Sequence, residues 1–245
     1  MQISRHYASL PERFSSALAS RPFRNPQLVA LNEPLATRLG LDCHWLRQKD
    51  GLAFLSQGQR PDGAAPVAMA YAGHQFGHFV SSLGDGRAML VGELTDRQGK
   101  VWDLHLKGSG PTPFSRRGDG HAALGPVLRE YLVSEAMAAL GIPTTRALAA
   151  LTTGENVVRE TLMPGGVIAR VASTHVRVGT FQLFAARQDR EGLTRLVDHV
   201  IERLYAELAD SPNRASGALN DVVDRQARPV AQRMLGGLTF CGMTT

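Results

Sequence analysis

Val101-Trp-Asp-Leu-His-Leu-Lys107, then Gly108-Ser-Gly-Pro-Thr-Pro-Phe-Ser-Arg-Arg-Gly-Asp-Gly120, then Pro126-Val-Leu-Arg-Glu-Tyr-Leu-Val-Ser-Glu-Ala-Met-Ala-Ala-Leu140 carry three successive signals that decide the fold. In the first run Trp102, Leu104 and Leu106 share one face and Asp103, His105 and Lys107 the other, the two-residue period of a strand. The second is glycine-rich and reads as a loop. Pro126 suits a first helical position, so a helix is predicted from about residue 126 to Leu140, stopped by Gly141-Ile-Pro143.

Working outward, residues 87–94 read as a second strand, joined to the first through Thr95-Asp-Arg-Gln-Gly-Lys100 as a hairpin connection. Strand-like runs follow at 146–151, 157–162 and 167–171, with Pro164-Gly-Gly166 separating the last two. Leu193, Leu196, Val197, Val200, Ile201, Leu204, Tyr205 and Leu208 recur at helical spacing. A final helix over 219–235 carries Pro229 inside its pattern. The fold class is therefore α+β. Three regions are predicted: an N-terminal extension over 1–66, a central mixed region over 67–190 and a helical region over 191–245.

With 245 residues, 43% of them hydrophobic, the chain can bury a sizeable core. Its net charge of +5 suits a phosphate-bearing ligand but not a nucleic acid, for which dense basic runs are expected. Cys43 and Cys241 lie far apart, which argues against a disulfide framework or a thiolate zinc site. No apolar run is long enough to span a bilayer, and the first residues lack a signal peptide's apolar core. A soluble, cytoplasmic protein without membrane partners is the expectation. The alternative is mitochondrial import, because residues 1–24 hold Arg5, Arg13, Arg21 and Arg24, several serines and a single acid.

Only Lys49, Lys100 and Lys107 are lysines among 27 basic residues, so a lysine in a site-like setting carries weight. Glu130 falls on a partly apolar helix stripe with Val127, Val133 and Met137, where a carboxylate needs a cation. Lys107 is the economical partner, since a strand-borne Lys held by a helix-borne Glu is how kinase-like folds present a lysine to nucleotide phosphates. A snorkelling Lys107 and a solvated Glu130 fit the same spacing. Leu83-Gly-Asp-Gly-Arg87 places Gly84 and Gly86 where backbone N–H groups can approach a phosphate, with Arg87 adding charge, or it is simply a turn. Asp119, beside Gly120 in a second Gly-Asp-Gly, either caps its turn or reaches a ligand's hydroxyl or base.

Between Lys107 and Arg177 eight Lys or Arg face five Asp or Glu. Arg170 and Arg177 in this segment are candidates for phosphate contact or for surface salt bridges. His74 and His78 have the spacing of two metal ligands on one helix face, but Gly77 disfavours a helix and no third ligand is evident. No serine sits in a nucleophile elbow.

Tyr71-Ala-Gly-His-Gln-Phe-Gly77, Leu83-Gly-Asp-Gly-Arg87, Leu104-His-Leu-Lys-Gly-Ser-Gly-Pro-Thr-Pro-Phe-Ser115, Gly118-Asp-Gly-His-Ala-Ala-Leu-Gly-Pro-Val-Leu-Arg-Glu-Tyr131 and Arg170-Val-Ala-Ser-Thr-His-Val-Arg177 together resemble the selenoprotein O family, over residues 1 to about 235. The resemblance implies a protein-kinase-like fold, here an N-lobe plus the first helices of an incomplete C-lobe. It also implies transfer of AMP from ATP, with Mg2+ or Mn2+, to hydroxyl side chains of protein substrates. By it Lys107 and Glu130 are the ion pair, with Lys107 on phosphate. Gly84, Gly86, Arg87, Asp119 and Gly120 become nucleotide contacts, and Arg170 and Arg177 phosphate-binding arginines. A family member would continue into Gly-Phe-x-His-Gly-Val-x-Asn-Thr-Asp-Asn, which supplies the catalytic Asp and metal ligands. This chain reads Gly236-Gly-Leu-Thr-Phe-Cys-Gly-Met-Thr-Thr245 instead. The expectation is an inactive chain that holds the lysine side of the site and lacks the metal side, or a non-catalytic ATP-binding or interaction fragment.

Overall fold

The computed structural model describes residues 3–235, so the tail from Gly236 to Thr245, with Cys241, lies outside the described residues. In chain order the elements are β1 (Ile3–Ser4), β2 (Ser15–Ala17), β3 (Gln27–Leu31), α1 (Glu33–Arg38), α2 (Cys43–Leu46), α3 (Lys49–Gln57), β4 (Val67–Met69), β5 (Gly73–Gln75), β6 (His78–Val80), β7 (Ala88–Thr95), β8 (Val101–Lys107), β9 (Ala122–Ala123), α4 (Leu124–Ala139), β10 (Arg146–Val158), β11 (Leu162–Ala172), α5 (Val178–Ala186), α6 (Arg190–Leu204) and α7 (Arg214–Leu235). Nine strands form one antiparallel sheet in the order β2-β4-β7-β8-β11-β10-β3, with β1 added to β7 and β9 to β11. β5 and β6 make a separate hairpin.

Alternation along β8 decides which layer lies on which face of the sheet. Trp102, Leu104 and Leu106 pack with Leu35, Phe54 and Leu55 of α1 and α3. Burying each of those larger side chains is worth roughly 1.5–3 kcal/mol. Asp103, His105 and Lys107 point the opposite way. There α4 packs Val127 on Ala147, Ala150 and Ile168, while α5 and α6 bring Phe184, Leu196 and Ile201 onto Tyr7, Phe14, Met69 and Leu90. The face that reads as polar in the sequence is thus covered: Asp103 and His105 are 1% and 0% exposed.

Several expectations shift. The helix α4 begins at Leu124, so Pro126 is its third residue; the first N–H groups of a helix have no partner inside it, and proline is tolerated there. The runs at 157–162 and 167–171 are not two strands split at Pro164-Gly-Gly166. The bend falls at residues 159–161, and the Pro-Gly-Gly lies within β11, where a register shift between Thr152 and Asn156 absorbs it. His74 and His78 lie on opposite strands of the β5–β6 hairpin, which removes the shared helix face. The last helix begins earlier than predicted, at Arg214, and runs through Pro229. Near the start of the chain β1 and β2 join the sheet, and Tyr7 and Phe14 are 1% and 0% exposed.

Candidate functional site

On the face shared by α4, α5 and α6, the ends of β7 and β8 open into a cleft of about 810 Å³, within the range of roughly 300–1,000 Å³ common for ligand pockets. Seven cations and only two carboxylates line it. Lys107 is carried there by the last residue of β8, and Glu130 comes from the second turn of α4. Lys107 Nζ donates to Glu130 Oε2 at 2.6 Å. The other carboxylate oxygen, Oε1, accepts from Arg170 Nη1 at 2.7 Å, a contact the sequence reading lacks. Burial alone raises the Glu130 pKa, yet Arg170 and Lys107 hold it below the usual carboxylate range. Burial, and then Arg170, push the Lys107 pKa down. One of its three N–H donors meets Glu130, and Arg87, exposed at the rim, has no ion pair among the described residues.

The first glycine turn works differently from the sequence expectation. The N–H groups of Gly84, Asp85 and Gly86 already donate to the carbonyls of Tyr71, Met69 and Gly84. What the glycines supply is room: at Gly84, φ +58°, an added Cβ would stand 2.2 Å from the Phe114 ring, and at Gly86 2.9 Å from the Phe114 carbonyl. Thr112 Oγ1 donates to Asp85 O, and Ser115 Oγ to Gly86 O, bolting the 110–118 loop onto the turn. This fixes one wall of the cleft.

In the second turn Asp119 Oδ1 accepts from His121 N–H at 3.0 Å, so it does cap the turn, and Asp119 also pairs with Arg159 at 2.7 Å. Gly120 backs against Gly110, leaving no space for a side chain. Arg177 caps α5 and lies 4.5 Å over the Tyr71 ring, with Nη2 3.8 Å from Asp85 Oδ1. The structure therefore brings Gly84, Gly86, Arg87, Lys107, Asp119, Gly120, Arg170 and Arg177 to one cleft, with Glu130 tied to it through Lys107 and Arg170.

Residues 1–245 match the family described as Protein adenylyltransferase SelO. The chain belongs to that family. It is similar to the protein nucleotidyltransferase YdiU of Bradyrhizobium diazoefficiens, 57% identical over 239 residues, which cover 98% of this chain and 49% of that protein. The proteins of the same name from Rhodopseudomonas palustris (strain BisB5) and Rhizobium etli are 58% and 59% identical over the same share of this chain and 49% and 48% of their own. The chain spans about half the length of the curated relatives it matches.

Sequence reasoning missed Arg159, Arg116 and Arg117 on the cleft wall and the buried groups behind it. Asp103 meets Arg203 Nη2 at 2.6 Å, and His175 stacks on His105 with ring centroids 4.3 Å apart. The available signal was the alternation of β8, which puts Asp103 and His105 on the same side as Lys107. Among the described residues no group of three or more His, Cys, Asp or Glu is assembled to hold a metal ion. The described residues of the cleft, with seven cations and two carboxylates, do not fit a divalent cation. No helix among them is long and apolar enough to cross a membrane.

Proposed function

We propose that the chain forms the nucleotide-binding part of a protein adenylyltransferase, binding ATP in the cationic cleft with its phosphates toward Lys107, Arg87, Arg170 and Arg177. The fold proposed for it is protein-kinase-like: residues 67–190 are the nucleotide-binding region, 1–66 an extension and 191–245 the helical start of a C-lobe. The single observation that carries the reading is the strand-borne Lys107 shared with Arg170 across helix-borne Glu130, beside two further arginines. In AMP transfer the hydroxyl oxygen of a protein substrate bonds to the α-phosphorus as the bond to pyrophosphate breaks. Charge then accumulates on the departing group, where preorganised cations stabilise it most. The hydroxyl proton must pass to a base, and no residue of this chain is assigned that role.

The second reading is an ATP-binding fragment without turnover, and the lack of a metal-holding cluster among the described residues favours it for this chain taken alone. One experiment separates the two: transfer of label from α-labelled ATP to protein in the presence of Mg2+ or Mn2+. Labelling by residues 1–245 supports transfer; ATP binding without labelling supports the fragment. In either case Lys107→Ala should abolish ATP binding measured by calorimetry, and Lys107→Arg should fail as well, because a planar fork cannot take the place of a compact ammonium between Glu130 and phosphate. Unchanged affinity in both variants would discard the site.

A further inference from the structure

Asp85 stands between the two glycines of the first turn, and the phosphate contacts proposed above leave it without a task. It is 2% exposed. Its Oδ2 accepts from Met69 N–H at 3.2 Å and lies 3.0 Å from His105 Nε2, while Oδ1 faces Arg177 Nη2 at 3.8 Å. His105 is fully buried, and burial pushes its pKa down to about 3, so the ring is neutral at pH 7 and carries one proton. That proton belongs on Nε2. Nδ1 lies 3.2 Å from Arg170 Nη2, and a guanidinium offers only donors, so Nδ1 must accept. The stacked His175 ring, tilted by only 13°, holds the imidazole plane. A continuous run of hydrogen bonds results, from Asp85 through His105 to Arg170, on to Glu130 and back to Lys107.

We infer that Asp85 is a positioning residue for both arginines of the cleft, aiming Arg170 through the His105 tautomer and Arg177 directly. The inference rests on the reading of the cleft as an ATP site and gives that site its means of preorganisation. A carboxylate suits both tasks because each of its oxygens accepts: Oδ2 takes Met69 N–H and His105 Nε2–H, and Oδ1 faces the Arg177 guanidinium. In Asp85→Asn the Met69 N–H holds the amide oxygen at the Oδ2 place, so the amide NH2 takes the Oδ1 place and sets a donor against Arg177 Nη2. The charge opposite Arg177 is lost in the same step.

The test uses the full chain, ATP with Mg2+ in a calorimeter, thermal melts, and 15N spectra of the histidine rings. Asp85→Asn and His105→Phe, a planar ring without hydrogen-bonding atoms, should each weaken ATP binding by about tenfold or more, the scale of a hydrogen bond to a charged group, at temperatures where the melts show a folded chain. His105→Asn, whose side-chain oxygen falls near the position of Nδ1 and can accept from Arg170, should recover part of that loss. In the wild-type chain the His105 spectrum should show the Nε2–H pattern; an Nδ1–H pattern would overturn the path through His105. If Asp85→Asn does not fold, His105→Phe and His105→Asn carry the test. Wild-type affinity in His105→Phe or in folded Asp85→Asn, alongside lost binding in Lys107→Ala, overturns the positioning role. Wild-type affinity in Lys107→Ala sinks the underlying ATP reading instead.

Discussion

Glu130 serves two cations at once, and the consequence is a site whose excess charge is held in place. Two positive groups 2.6 and 2.7 Å from one carboxylate leave a net positive pair aimed into the cleft. Asp119 and Arg159 differ: their side chains are 44% and 35% exposed, where an ion pair contributes no more than about 1 kcal/mol. Asp119→Ala should therefore barely move the melting temperature. If Asp119 also reaches the nucleotide, ATP affinity falls several-fold in the same variant; unchanged affinity leaves it as a turn cap. The Lys107–Glu130 pairing was legible because a lone lysine on a strand and a carboxylate on an apolar stripe each needed the other. Arg170 on Glu130 was not, since no local spacing reports that β11 pairs with β8 and brings His105 and Arg170 side by side.

Elements with one clear period, β8 and α6, were readable from the sequence, whereas α5 was not. Val178–Ala186 is apolar on nearly every side, with Leu183 and Phe184 fully buried, and so shows no face to count. Pro164-Gly-Gly misleads for another reason: such punctuation usually ends a strand, and here the pairing partner bulges to accommodate it. The Gly84 turn gives the sharpest test at this scale. Gly84→Ala puts a methyl into the Phe114 ring at a left-handed φ, and should cost about 2–4 kcal/mol from backbone strain and overpacking together. Adding Phe114→Ala should remove the packing share, so urea unfolding of the double variant should show less than the sum of the single losses. Additive losses would mean the ring does not press on the turn.

Across the whole molecule the buried ionisable groups make stability depend on pH in one direction. Burial holds His105, His175 and His199 below the usual histidine range, His199 at about 4. Between pH 6.5 and 4 the unfolded chain therefore binds more protons than the native one, and stability falls as pH falls. Burial opposes the charge on Asp85, Asp103 and Glu130, but His105 and Arg177 beside Asp85, His175 and Arg203 beside Asp103, and Arg170 and Lys107 beside Glu130 keep these carboxyls below their ordinary values. Their share is lost at still lower pH, in the same direction. The melting temperature should fall from pH 7 to 5 and again by pH 3.5; a flat profile from pH 7 to 5 would show that the imidazoles reach water in the native state.

The sheet also fixes an order of assembly. β2 and β3 lie on its two outer rims, although both leave the ribosome before any strand they pair with, and β3 waits for β10 far downstream. During synthesis the nascent chain must hold these early strands unpaired until the later ones emerge. The β2 rim can close once β4 has emerged, whereas the β3 rim stays open until β10 does, and a chaperone that shields β3 in the interval would act where the growing polypeptide is most vulnerable.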